Sequence, residues 1–186
     1  MSARRRLFRR ILAAGLAPLC PSPTGFAQQQ VLSDQQLLGA YLLNFLRYVD
    51  WPERLLPTPD SPLVLGILGS DAAGAFTGIS GKLVKGHPVS VRPVLGAEDA
   101  RSCHALYVPD QDSRRFVSVL RALHASPVLT ISDAEGFIEV GGMIGLVRTD
   151  NRLQFEINLA VLSQAQLKAS SQLLRLARSV VDGKPR

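Results

Sequence analysis

Short apolar runs recur along this chain, separated by stretches in which apolar residues fall every third or fourth position. Leu63–Leu68, Ala105–Val108 and the run from Pro127 to Ile131 are almost continuously apolar and rich in branched residues. That is the pattern of strands covered on both faces. The stretch His87–Val94 alternates, with Pro88 near its start, where a missing donor is tolerated. Met143 to Val147 and Leu153 to Ile157 flank Asp150 and Asn151, residues that accept a positive φ, so this region predicts a hairpin. In its second strand Leu153, Phe155 and Ile157 share one face, and Gln154, Glu156 and Asn158 the other.

Helical spacing dominates elsewhere. Ser33 and Gln36 form a capping box with Asp34 in the first turn. From there Leu37, Leu38, Tyr41, Leu42, Phe45, Tyr48 and Val49 predict an amphipathic helix to about Asp50, stopped by Pro52. The piece from Pro52 to Pro62 holds Pro52, Pro57, Pro59 and Pro62 and reads as the linker to the sheet. Gly69, Ser70 and Asp71 turn into Ala72–Ile79, a small-residue segment that suits a helix. Asp112 or Ser113 caps a helix through Phe116, Val117, Leu120 and Leu123, and a Leu- and Ala-rich helix after Asn158 closes the chain. Strands alternating with helices and ending in a hairpin predict a single-domain α/β layered sandwich. Its sheet is largely parallel, with an antiparallel C-terminal hairpin and flanking helices.

The first 27 residues stand apart. Arg4, Arg5, Arg6, Arg9 and Arg10 precede an apolar core from Ile11 to Leu19, and Gly25-Phe26-Ala27 offers small residues for cleavage. This is an export-signal pattern, with Gln28 opening the mature chain and residues 28–186 forming one domain. An apolar core this short does not span a bilayer, which takes roughly 20 residues. Arg5-Arg6 resembles a twin-arginine signal without its polar lead-in, which leaves the general secretory route as the better match. Cys20 lacks the small preceding residue of a lipid-anchor site, because Leu19 stands there. The expected location is the periplasm.

Removing the leader changes the charge argument. The whole chain has 21 basic and 15 acidic residues. Five of the arginines and none of the acids lie in the leader, leaving 16 against 15. A nucleic-acid footprint needs a persistent basic face, so nucleic acid is excluded as an expected partner.

Candidate chemistry is sparse. Gly66, Gly69 and Gly74 miss the dinucleotide-binding spacing, and Gly78-Ile79-Ser80-Gly81 is not a nucleophile elbow. His87, His104 and His124 are scattered, and Asp110-x-Asp112 lacks the glycine and distal glutamate of a calcium loop. Asp133 and Glu135 are a carboxylate pair with no evident target. Cys103 is the single cysteine left after the leader, a candidate for burial or for an intermolecular or redox role. Its neighbour His104 points to the opposite face of a strand, which argues against a thiolate–imidazolium pair. Trp51, the sole tryptophan, either plugs the base of the core or walls a ligand or partner site. Glu156 is either part of a solvated strand face or a group that meets a partner. No catalytic residue, metal site or cofactor is expected.

The ordered set of motifs resembles the YfiR family of periplasmic regulators. The carrying residues are Tyr41, Phe45 and Tyr48-Val49-Asp50-Trp51-Pro52, then Cys103-His104-Ala105-Leu106-Tyr107-Val108. Val128-Leu129-Thr130-Ile131-Ser132-Asp133, Gly141-Gly142-Met143-Ile144, Phe155-Glu156-Ile157-Asn158-Leu159 and Ser170-Ser171-Gln172-Leu173-Leu174 complete it. The resemblance implies a non-enzymatic protein that binds the periplasmic sensor region of a membrane-bound diguanylate cyclase and represses it. Cyclic-di-GMP and biofilm output would fall. It also implies sequestration by an outer-membrane lipoprotein, a homodimer, and docking through Phe155, Glu156, Asn158 and the following helix. One departure matters: with only Cys103 in the mature part, an intramolecular disulfide cannot form. A periplasmic small-molecule-binding protein, with a site near Gly69–Asp71 and Trp51, is the alternative, and a hydrolase ranks third.

Overall fold

Helix α1 (Asp34–Tyr48) starts where the capping box places it: Gln36 N donates to Ser33 Oγ at 3.2 Å and Ser33 N donates to Gln36 Oε1 at 2.9 Å. The computed structural model describes residues 33–69, 72–110, 113–150 and 152–183. The leader with its cleavage site, Ser70, Asp71, Asp112 and Asn151 lie outside them. The helix ends at Tyr48 rather than Asp50, because Val49 swings into extended backbone as β1 (Val49–Asp50). The proline-rich linker follows, with a short 3-10 turn at Glu53–Leu55.

The chain continues through β2 (Leu63–Leu68), a 3-10 helix (Ala72–Ile79), β3 (Leu83–Val84) and β4 (His87–Val94). Next come α2 (Ala97–Ala100), β5 (Ala105–Val108), α3 (Ser113–Ala122) and β6 (Leu129–Ser132). The hairpin is β7 (Ile144–Thr149) and β8 (Arg152–Asn158), with Asp150 at φ 48° in its turn. Then follow α4 (Leu159–Gln164), β9 (Lys168–Ala169), α5 (Ser171–Leu176) and β10 (Ser179–Val181). Eight strands form one sheet in the order β10-β8-β7-β6-β5-β2-β4-β3. Pairing is parallel except for β7–β8 and β3–β4. The expected α/β sandwich, with its largely parallel sheet and antiparallel hairpin, is the observed fold.

The continuously apolar strands explain themselves once both faces are seen. Leu63, Leu65 and Ile67 of β2 face a core shared with Leu42, Phe45 and Leu46 of α1, while Leu68 faces a second core under α2 and α3. In β5, Tyr107 joins the first core and Leu106 and Val108 the second. Each fully buried Leu or Phe contributes about 1.5–3 kcal/mol. Packing between β2 and β4 is close enough to require glycine: a Cβ at Gly66 would lie 2.6 Å from Val94 Cγ2 and 2.8 Å from Cys103 Sγ.

The expected continuous closing helix is replaced by two helices and two strands. Gln166 takes φ 59°, and Lys168–Ala169 then pair antiparallel with Asp50 and Val49. Ser170 restarts helix as a new cap, its Oγ accepting from Leu173 N at 3.2 Å. After α5 the chain returns to the sheet, and β10 runs parallel to β8 as its edge strand.

Candidate functional site

The β7–β8–β10 margin is partly open: no residue of β10 is buried, and Leu176, Val180 and Val181 are exposed. Residues 134–142 lie over β6 and β7, which glycines permit: a Cβ at Gly142 would lie 2.1 Å from Phe137, and one at Gly145 3.0 Å from Ile138. Beyond Gly145, whose partner across the hairpin is Glu156, that cover ends. A groove of about 390 Å³ opens there, bordered by Asp133, Glu135, Glu139, Arg148 and Glu156. The one arginine is partly neutralised elsewhere, since Arg148 Nη1 lies 3.3 Å from Asp34 Oδ1.

Glu156 is one-quarter exposed and faces Arg178, with Nε 4.0 Å from Oε1. Arg178 is positioned by its backbone, which donates to Phe155 O at 2.8 Å, and by Thr149 Oγ1, 3.4 Å from Nη1. Next to Glu156 on β10 sits Ser179, followed by the exposed Val180 and Val181, with exposed Leu176 just before. A loosely paired carboxylate thus borders an apolar strand edge, whose outward backbone groups are a template for a further strand.

Of the residues singled out from sequence, the structure separates Glu156 from its two companions. Phe155 is 5% exposed and packs edge-on against Phe45 and Tyr41 at centroid distances of 5.1 and 6.2 Å. Asn158, expected on the polar face with Glu156, is 1% exposed and caps α4, its Oδ1 accepting from Val161 N at 3.1 Å. Both are therefore interior rather than surface residues, each for its own reason: Phe155 lies on the face of β8 that rests on α1, and Asn158 stands where β8 turns into α4. The accessible apolar groups at this margin are Leu176, Val180 and Val181, which a reading of this stretch as one long helix concealed.

Trp51 lies at the amino edge of the sheet. Its Nε1 donates to His104 O at 2.8 Å and its ring meets the His104 ring edge-on at 6.4 Å. It borders a cleft of about 580 Å³ together with Glu53, Arg54, Gln166 and Lys168. Arg54 Nη2 reaches across this cleft to Gln166 Oε1 at 2.7 Å. Gly69 follows the opposite, carboxyl end of β2, roughly five residues or about 16 Å away. Gly69 accordingly does not border the Trp51 cleft; Ser70 and Asp71 lie outside the described residues.

Cys103 is buried, with Arg92 Nη2 3.3 Å from its sulfur. Burial pushes its thiol up, with Arg92 opposing in part. This is the environment of a packed thiol rather than a reactive one. At the carboxyl edge, Asp133 Oδ1 accepts from Asp110 N at 3.0 Å. Tyr107 is held protonated, by burial first and then by Asp133 and Asp110. Among the described residues no cluster of three His, Cys, Asp or Glu side chains is arranged to hold a metal ion, and no helix is long and apolar enough to cross a membrane.

Comparison with known proteins adds two findings. Residues 35–178 match the model of the family described as YfiR/HmsC-like. Among solved structures, a conserved domain protein from Vibrio cholerae O1 biovar El Tor is similar at TM-score 0.51 and 12% identity, over 80% of this chain and 60% of that one. An ABC domain in complex with L-Trp from Streptococcus pneumoniae gives TM-score 0.45 and 14% identity, over 63% and 55%. The chain spans less than two thirds of both. The first likeness is one of fold alone, and the second carries no argument.

Proposed function

Because the chain belongs to the YfiR/HmsC-like family, at family level one of periplasmic regulators of diguanylate cyclase, we propose that it binds and represses the periplasmic sensor region of such a cyclase. The leader of residues 1–27 would deliver it there. Docking uses the β8–β10 margin: Glu156 and Arg178 supply charge, and Leu176, Val180 and Val181 the apolar anchors. The observation that carries this reading is the family match across residues 35–178, which takes in the whole sheet but its last strand. The open margin beside Glu156 supports the choice of surface. Binding the sensor region better in its inactive arrangement shifts that region's population, and no chemistry by this chain is needed. An outer-membrane lipoprotein that competes for the same margin would relieve repression, and the exposed β10 edge also suits a homodimer.

The test is recovery of an inner-membrane protein with a cyclase domain from a periplasmic pull-down, repeated with Glu156→Lys. Recovery by the wild type and loss in the variant supports both the partner and the surface. Unchanged cyclic-di-GMP after deletion of the gene would overturn the assignment. The Trp51 cleft favours a second reading, a small periplasmic ligand, which a thermal-shift screen on wild type and Trp51→Ala addresses.

A further inference from the structure

His104 ties three parts of the molecule together at the amino edge. Val64 N–H, at the start of β2, donates to His104 Nδ1 at 3.0 Å, and the Leu55 carbonyl of the linker lies 3.2 Å from Nε2. A backbone amide can only donate, so Nδ1 presents its lone pair. The ring's single proton then sits on Nε2, where it is donated to Leu55. The two contacts together define a neutral ring of one tautomer. The backbone of His104 is equally engaged: its carbonyl accepts from Trp51 Nε1 at 2.8 Å and Leu129 N at 2.9 Å, and its N–H donates to Val64 O at 2.9 Å.

We propose that His104 is a proton-operated pin, whose neutral ring holds the linker against β2 and whose protonation releases the linker and reshapes the cleft beside Trp51. A proton arriving at Nδ1 takes the lone pair that Val64 N–H uses. Two N–H groups then face each other, and a partly buried amide is left without its acceptor. Turning the ring away to relieve that contact gives up Leu55 O as well. The Leu55 part of the linker then loses its tie to β2 and β5, leaving the His87–Ser61 contact further along, while Trp51 to Arg54 form one wall of the cleft.

The surroundings do not rescue the charged ring. From β4 comes His87, whose own Nδ1 is 3.0 Å from Ser61 O and whose charged form repels a second imidazolium. The linker brings Glu53, Arg54 and Asp60, all exposed, with Arg54 bonded to Gln166. Asp50 of β1 is engaged by Lys85, and β2 and β6 carry no titratable side chain. Burial holds His104 below the usual 6.5; the Leu55 carbonyl opposes this, and His87 adds to it. A depressed folded value means that the contribution of the pin is complete above the unfolded value and is lost as pH falls through the folded one.

Trp51 is the only tryptophan of the chain, so its emission reports on the pinned cleft. Titrating the full chain from pH 8 downward should move that emission in a single-proton transition centred below 6.5. His104→Gln keeps an acceptor for Val64 and a donor for Leu55 without titrating, and should remove the transition. His87→Gln should retain it with a raised midpoint. In the wild type, ring-nitrogen chemical shifts at pH 8 should show the Nε2–H tautomer, a readout that does not depend on any variant folding. An Nδ1–H tautomer, the same transition in His104→Gln, or flat emission down to acid unfolding would each overturn the proposal. The device is independent of where a partner docks.

Discussion

The amino edge of the sheet and the β8–β10 margin are held by different means. At the amino edge, Trp51, Leu55, Val64, His104 and Leu129 are joined by directed hydrogen bonds of 2.8–3.2 Å, so moving one group costs its neighbours. At the margin the corresponding contact is a pair of partly exposed charges 4.0 Å apart, beside β10, the outermost strand among the described residues. Exposed pairs of this kind are worth about 0–1 kcal/mol. The amino edge is thus suited to respond as a unit, and the margin to exchange one set of contacts for another with little effect on the fold.

The contrast breaks hardest one residue inside the margin. Phe155 lies next to Glu156 in sequence but belongs to the aromatic core with Tyr41 and Phe45. Phe155→Ala should destabilise the chain by about 3–5 kcal/mol in urea unfolding. A loss below about 1 kcal/mol would mean that α1 is not seated on the hairpin. Asn158→Ala, which removes the α4 cap, should cost about 1 kcal/mol by the same measurement. Trp51→Phe keeps an aromatic ring, though a smaller one, and deletes the donor to His104 O, a loss that should cost about 0.5–1.5 kcal/mol. Glu156→Gln comes last: stability should change by no more than about 0.5 kcal/mol, while partner recovery falls. If unfolding and binding move together in that variant, the margin is part of the structural frame and the comparison fails.

Where the sequence was legible, one local signal decided the structure. Leu63–Leu68 and Ala105–Val108 became strands over the residues expected, because apolar runs of that length have no better use than a doubly covered sheet, and His87–Val94 did so on its alternation. The Ser33–Gln36 box likewise placed the start of α1. The tail was misread because Leu159, Leu162, Leu167 and Leu173 keep an apolar spacing compatible with one helix. Its interruption rests on a positive φ at Gln166 and on pairing with Val49 and Asp50, more than a hundred residues earlier. No glycine or proline marks that break. The candidate surface was legible only in part: alternation correctly put Phe155 and Glu156 on opposite faces, but could not show that Asn158 turns inward to cap a helix. The bond from Val64 N–H to His104 had no sequence signature at all, since it joins an amide to a ring 40 residues away.

The seating of α1 has a consequence for the order in which the domain assembles. Its Tyr41 hydroxyl donates to Leu153 O, 112 residues downstream, and Phe45 packs on Phe155. As the chain is delivered from its N-terminus, β2 and the 3-10 segment can cover part of this helix early, but Tyr41 and Phe45 lack Leu153 and Phe155 until the hairpin arrives. Closing so long a loop adds little to the entropic cost, which grows only with the logarithm of its length. The delay is one of time, as in other domains dominated by distant contacts. This early helix is fully locked only late, and a chain cut short before β8 would leave the Tyr41 and Phe45 side of its apolar stripe open to other proteins.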